Sequence, residues 1–328
     1  MDLKLSSNIN ITLSPKAAQM RSGDHFYVDF DCPEADPLFC VPLKNLQLKA
    51  ITECWTGLQS VPDYHHWQCF HNHEFLLAKV PASISTIALA ELPIDEVTEN
   101  AYSAVFELMQ QLGYPHLCRT WNYFSGITAA TANAHNRYQL FCTGRSRAYE
   151  KYQTPLHYPA ATVVGLPKDG LHIYFLAAKH PGHAIENPQQ VSAYDYPKQY
   201  SQDAPLFARA LLHETSSQTL FFVSGTASIR GHNSQHIDDV MQQTHACLDN
   251  IQALIKTSQE KYALNMSDLS QFTQFKVYIK HAEDLATVES QIQQRCGQHA
   301  QIIYLQADLC RTDLLVEIEA CQIHNNLS

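Results

Sequence analysis

The sequence predicts an α+β fold built from two related halves, and three observations carry that reading. An amphipathic helix, a short loop and a strand occur in that order twice, over residues 98–124 and again over residues 245–279. Several runs alternate apolar and polar residues, as half-buried strands do. Hydrophobic residues make up 45% of the 328 and charged residues 16%, which suits a well-buried core and argues against disorder. A duplicated α+β unit explains the repeat better than a short-period solenoid, and two unrelated helix–strand pairs alike by chance fit the periodicity as well.

The formal net charge of −10 disfavours nucleic acid and anionic membranes as partners, since both need a basic footprint. A small anionic substrate stays open, because a pocket needs only two or three local cations. Met1 to Ser6 carries no apolar core of a secretory signal, and no run of about 18 apolar residues occurs. The ten cysteines are scattered singly with no CxxC pair. Reduced thiols in a cytoplasmic protein are expected.

Residues 1–24 are polar and read as a margin. Residues 26–30, FYVDF, read as the first strand, and residues 32–43, with three prolines, as a loop. Residues 64–74, YHHWQCFHNHE, are rich in histidine but lack HExxH and CxxC spacing. A polar, partly exposed hairpin is expected there rather than a metal site. Residues 75–80 read as a strand. Residues 98–113 place Tyr102, Val105, Phe106, Met109 and Leu112 at helical spacing, with Thr98 as candidate N-cap and Gly113 as candidate stop. Residues 118–124 follow as a strand. Residues 137–148 read as part of a linker between the halves, and residues 160–165 and 171–178 as apolar strands. The second helix places Leu248, Ile251, Leu254 and Ile255 on one side, and residues 272–279 alternate as its strand.

Two stretches look chemical. Residues 220–232, LFFVSGTASIRGH, pass from an apolar strand into small and hydroxylated residues, where a backbone can approach a ligand closely. In residues 307–321, ADLCRTDLLVEIEAC, Leu314, Val316, Ile318 and Ala320 fall on one face of a strand, and Leu315, Glu317 and Glu319 on the other. A carboxylate on a largely apolar strand is the strongest chemical signal in the chain. Without more, such a glutamate is usually a solvated surface residue.

The ending Leu315-Val316-Glu317-Ile318-Glu319-Ala320 resembles the final strand of the Rid (YjgF-like) family. More specifically, Trp121-Asn122-Tyr123, Arg137-Tyr138, Gly144-Arg145, Tyr158-Pro159-Ala160-Ala161-Thr162, Glu186-Asn187-Pro188, Ser192-Ala193-Tyr194, Tyr196-Pro197, Phe207-Ala208-Arg209-Ala210 and Ser224-Gly225-Thr226-Ala227-Ser228 occur in one order. So ordered, they resemble the chorismatases, which remove pyruvate from chorismate. Residues 1–100 carry little of the resemblance. It implies two Rid-like halves, each a mixed sheet with helices on one face: a degenerate one over residues 1–157, and one over residues 158–328 that carries the catalytic strand.

By position, the resemblance implies Glu317 as the acid, with no cofactor and no metal. Cys310 resembles the subgroup that releases 3-hydroxybenzoate. Ala227 resembles instead the hydrolytic subgroup, which releases a dihydroxycyclohexadiene carboxylate. Cleaving an enol ether begins with protonation of its methylene carbon, so the acid must still hold its proton near neutral pH. A free glutamate, with a pKa of about 4.3, would not. Burial raises it, and so would Glu319 on the same face.

The two substrate carboxylates call for arginine. Arg145 after a glycine and Arg209 between alanines are the candidates, with Arg147 and Arg137 in reserve. Tyr194, Thr226 and Ser228 are candidate hydrogen-bond donors to substrate, beside Ala227. A helix-entry or surface role is expected for His232 and His236.

The expected reaction yields pyruvate and 3-hydroxybenzoate. The diol and 4-hydroxybenzoate stay open as products. Two readings of another class are a Rid-type imine hydrolase and a non-catalytic small-ligand sensor. The former leans on an arginine that residues 301–304 do not offer. The expected partner is chorismate, with no nucleic acid and no membrane. A monomer and a homo-oligomer, a trimer included, both stay open.

Overall fold

The computed structural model describes residues 7–15, 25–31, 40–47, 51–62, 64, 66–90, 92–131, 135–152, 158–198 and 202–326. The readings of Met1–Ser6 and of most of the proline-rich loop lie outside them, as does His65.

The chain opens with a four-stranded sheet: β1 (Asn10–Pro15), β2 (Phe26–Phe30), β3 (Cys40–Val41) and β4 (Ile51–Thr56), in the order β1-β4-β2-β3. The expected first strand is therefore the second, and part of the expected margin is a strand. A first unit follows: β5 (Gln59–Ser60), β6 (Gln68–His71), β7 (Phe75–Lys79), α1 (Ile94–Leu112), β8 (His116–Ser125), α2 (Arg137–Tyr152), β9 (Ala160–Leu166) and β10 (Leu171–Ala178). The second unit has β11 (His183–Ile185), β12 (Ala210–Glu214), β13 (Gln218–Ala227), a small hairpin of β14 (Ile229–Arg230) and β15 (Asn233–Ser234), α3 (Val240–Tyr262), β16 (Gln274–Ile279), α4 (Leu285–Cys296), β17 (Gln301–Gln306) and β18 (Val316–Asn325).

The two six-stranded sheets share one topology. Their orders are β5-β6-β7-β10-β8-β9 and β11-β12-β13-β18-β16-β17, each mixed through one parallel pair, β8 with β9 and β16 with β17. The repeat is thus a β-β-β-α-β-α-β-β unit, and the helix–strand pair visible in sequence is its centre.

Three expectations are corrected. The first sheet includes β9 and β10, so it ends at Ala178, past the expected division at 157/158. Its last strand, β10, lies between β7 and β8, an order the sequence does not announce. The supposed linker over residues 137–148 belongs to α2. Its buried residues include Gly144 and Arg145, so the face packed on α1 lacks a clean apolar stripe. Finally, α1 starts at Ile94 after Pro93, and Thr98 lies buried within it. Gly113 closes α1 as expected, at φ 77°.

Each unit packs its helices on one sheet face: Phe106 and Phe141 on the first sheet, Leu248 and Ile251 on the second. The other faces, with the four-stranded sheet, enclose a third core containing Phe26, Trp55, Trp121, Phe222 and Tyr278. The histidine-rich segment forms the expected hairpin, β6 against β7, and His71 Nδ1 lies 3.1 Å from the Tyr114 hydroxyl. Among the described residues no group of three His, Cys, Asp or Glu side chains is placed to hold a metal ion. No helix among them is long and apolar enough to cross a membrane. Among the described residues eight cysteines are free, but Cys40 is disulfide-bonded, which overturns the reduced-thiol expectation there.

Candidate active site

The apolar run of β13 pairs with β18 in regular antiparallel register as far as Val223 opposite Ala320. The register then shifts, and pairing resumes with Thr226 opposite Ile318. Ser224 and Gly225 form the bulge between, and a bulge re-aims what stands beside it. A Cβ on Gly225 would lie 2.0 Å from Glu317 Oε1, so only glycine leaves the carboxyl its place. The bulge is also stitched to β9. Ser224 Oγ accepts from the Ala161 N–H at 2.8 Å and donates to the Ala208 carbonyl at 2.6 Å, and the Gly225 N–H donates to Thr162 Oγ1 at 3.1 Å.

A cavity of about 530 Å³ opens between the two units over this joint, within the ~300–1,000 Å³ of small-molecule sites. Tyr138 and Val163 of the first unit line it, with Arg209, Ala227, Cys310, Arg311 and Glu317 of the second.

Glu317 and Glu319 share a face, but their surroundings push them apart. Glu317 is 4% exposed. Burial, and then the charge of Glu319, raise its pKa to about 8 against the pull of Arg119 and Arg209. Burial pushes Glu319 up as well, but Lys276 and Arg119 overcome it and hold Glu319 below the ordinary value. Glu319 Oε1 receives Lys276 Nζ at 3.3 Å and Trp121 Nε1–H at 2.9 Å. Its Oε2 accepts from Arg119 Nη2 at 3.0 Å, Thr162 Oγ1 at 2.5 Å and the Tyr278 hydroxyl at 3.1 Å. A carboxyl pushed up by burial thus faces a cavity beside a carboxylate held low by its cations.

Arg209 Nη2 donates to the Val191 carbonyl at 2.9 Å and to the Tyr196 hydroxyl at 2.7 Å, while Nε has no partner. Arg311 Nη1 donates to the His232 carbonyl at 2.9 Å and Ser234 Oγ at 3.3 Å. The two guanidinium carbons lie 5.5 and 5.6 Å from the Tyr196 ring centre, so two cations flank one aromatic ring. Burial, and then Glu317, push the Cys310 thiol up to about 12, so it presents a neutral S–H.

Of the residues singled out in sequence, the fold brings Glu317, Cys310, Arg209 and Ala227 to the cavity. Four stand elsewhere. Arg145 is buried within the helical layer, over the Phe141 ring at 5.3 Å and the Tyr102 ring at 6.0 Å. It lies on the packed face of α2, where a linker reading would leave it open. Tyr194 packs against Tyr158, with ring centres 5.1 Å apart. The Thr226 hydroxyl donates to the Ser224 carbonyl at 2.8 Å and that of Ser228 to the Gln235 carbonyl at 3.1 Å, so both brace the backbone. The reserves are also engaged: Arg147 pairs with Asp95 at 3.1 Å, and Arg137 Nε donates to the Ser125 carbonyl at 3.0 Å. His232 and His236 serve through their carbonyls, which accept from Arg311 and from Gln243 Nε2.

Sequence reasoning missed Arg311, Tyr138, Arg119 and Lys276. Arg311 directly follows Cys310 and was the one available by adjacency. Lys276 is a cation on a largely apolar strand, the signal that drew attention to Glu317, whereas Arg119 stands among polar residues of β8 and gave no such signal.

The family model described as Chorismatase FkbO/Hyg5-like, N-terminal, matches residues 53–177. A 3-hydroxybenzoate synthase of Streptomyces hygroscopicus is 38% identical over 232 residues, covering 68% of each chain. The chain belongs to the chorismatase family. A chorismatase of Streptomyces rapamycinicus is 38% identical over 228 residues, again 68% of each chain. A chorismatase crystal structure matches with a TM-score of 0.83 at 28% identity, covering 96% of this chain and 98% of that one. The chorismatase match starts at residue 53, so the family signal reaches further into the first hundred residues than the short sequence blocks suggest. Its end at 177 falls beside the last residue of β10.

Proposed function

We propose that this enzyme cleaves the enolpyruvyl ether of chorismate, with Glu317 as the acid. The observation that carries the reading is a carboxyl raised to about 8 that lines a cavity holding Arg209 and Arg311. The two guanidiniums match the two carboxylates of chorismate, for which planar bidentate donors are suited. Glu317 gives its proton to the methylene carbon, and an oxocarbenium ion forms. The neighbouring ring hydroxyl adds to that cation and loses its proton to the Glu317 carboxylate. The bond from the attacking oxygen to the ring breaks, and the bond from the ketal carbon to the ether oxygen breaks with it, so the attacking oxygen leaves as the keto oxygen of pyruvate while the ether oxygen stays on the ring and takes up a proton. Loss of the proton on the carbon bearing that oxygen gives the aromatic 3-hydroxybenzoate, and no water is consumed.

Cys310 supports this product, since its neutral, weakly polar S–H stands on the cavity wall beside Glu317 and offers water little hold. So does the likeness to the 3-hydroxybenzoate synthase of Streptomyces hygroscopicus. A second route is favoured by Ala227, which also lines the cavity. There water attacks the cation and a dihydroxycyclohexadiene carboxylate leaves with pyruvate.

Incubating the protein with chorismate, without added metal or cofactor, and separating the products with mass detection tests both. Pyruvate with 3-hydroxybenzoate supports the first route, and pyruvate with the diol the second. Intact chorismate would overturn the assignment. A cytoplasmic site of action is part of the same proposal.

A further inference from the structure

Three sheets each send charged side chains into the shared core. Glu53 comes from β4, Arg119 from β8, and Lys276 and Glu319 from β16 and β18. They are 1%, 1%, 2% and 4% exposed. Lys276 Nζ lies 2.6 Å from Glu53 Oε2 and 3.3 Å from Glu319 Oε1, and Arg119 Nη2 lies 3.0 Å from Glu319 Oε2. The two formal cations and two formal anions sum to zero. Buried ion networks of this kind add little to stability over a well-packed apolar replacement, so stability does not account for this one.

Its geometry relative to Glu317 does. Every contact of the two cations with a β18 carboxylate goes to Glu319, which also receives Trp121, Thr162 and Tyr278. Among the described residues no hydrogen bond is donated to Glu317, which stands two positions along the same face, toward the cavity. Two neighbouring buried carboxylates do not both ionise readily, so near neutral pH the pair holds one proton.

We propose that Lys276 and Arg119 are positioning residues for the reaction: they fix Glu319 as the ionised member of the pair and so leave the one proton on Glu317. This rests on the reading of Glu317 as the acid. The other formal charges around the pair are Arg209, which pulls Glu317 down, and Arg311 and Asp313, which line the same cavity as Glu317. The phenols facing the pair (Tyr123, Tyr138, Tyr174 and Tyr278) and the thiols (Cys247, Cys310 and Cys321) are all pushed up by burial, so none competes for the proton.

The test is the pH dependence of kcat in Lys276→Met/Glu53→Gln, which removes one ion pair and keeps the buried charge sum at zero. With Lys276 gone, Glu319 takes the proton. Glu317 then titrates beside a neutral neighbour, and its ionisation moves to lower pH. The alkaline limb of kcat should move down by about one pH unit, with KM within about threefold of the parent. Activity lost at pH 7 to 8 should recover toward pH 6. Lys276→Gln, which removes the same charge and leaves Arg119 in place, carries the same prediction if the double variant does not fold. Lys276→Arg should return the limb to its parental position.

A fall in kcat by the same factor at every pH would show a merely structural role and overturn the inference, as would a limb that stays in place. Glu317→Gln is run in parallel. If it keeps parental turnover, the reading of Glu317 fails first. If it is inactive while the limb of the charge variants stays put, this inference alone fails.

Discussion

Gly225 and Glu317 face each other across the β13–β18 bulge with no room for a methyl group, because a Cβ at 225 would lie 2.0 Å from Glu317 Oε1. The atom that must yield is the free end of a side chain, so the fold can survive the intrusion while the acid cannot keep its place. Gly225→Ala should therefore lower kcat by ~10²-fold, the scale of an ångström-sized misplacement. Calorimetry should show a melting temperature shifted by only a few degrees. Parental kcat in this variant would mean that the carboxyl position is not critical.

Glu317→Gln keeps the shape of the side chain and removes its acidity. Turnover should fall by ~10²–10⁴-fold, the usual contribution of a positioned acid. Binding of chorismate, measured by calorimetry, should remain within about threefold, because Arg209 and Arg311, the proposed holders of its carboxylates, are untouched.

The raised pKa of Glu317 makes two pH predictions with the same sign. With Glu317 as the proposed acid, the active form is the protonated one, so kcat should be level below about pH 8 and fall above it. Stability follows the same proton. The folded pKa lies above the unfolded one, so Glu317's contribution is complete below the ordinary glutamate value of about 4.3 and is lost as pH rises toward about 8. Each pH unit across that window costs the folded state about 1.4 kcal/mol. Glu317→Gln should therefore melt higher than the parent at pH 8, and the gap should close toward pH 5.

Arg209 and Arg311 should separate binding from chemistry. Arg209→Lys keeps the charge and loses the planar fork, whose second edge the Val191 carbonyl and Tyr196 hydroxyl already hold. Its KM for chorismate should rise by ~10–100-fold, with a smaller change in kcat. Arg311→Gln should behave alike. An unchanged KM in both would move carboxylate recognition elsewhere in the cavity.

Much of this was legible in sequence because periodicity reports burial. The alternation of residues 314–320 put Glu317 and Glu319 on one face, and the structure places them so. The helix–strand repeat marked the centre of each unit. What stayed hidden depends on contacts distant in sequence. The polar inner face of α2 gave no stripe, so a packed helix read as a linker and Arg145 as open to substrate. Thr226 and Ser228 show only that hydroxyls are present; whether they face a ligand or their own backbone is decided by the bulge between Val223 and Thr226. Lys276 looks like a surface residue on an alternating strand until Glu53, more than two hundred positions earlier, arrives to neutralise it.

The central claim is that catalysis begins with transfer of a proton from Glu317 to the methylene carbon of chorismate. The most direct measurement is the mass of the pyruvate formed in deuterium oxide, trapped at once as lactate. One deuterium in the methyl group of every product molecule, and no pyruvate from Glu317→Gln, is the predicted result. Pyruvate formed without methyl deuterium would show cleavage without carbon protonation, and full turnover by Glu317→Gln would assign the proton to another group. Either would contradict the account.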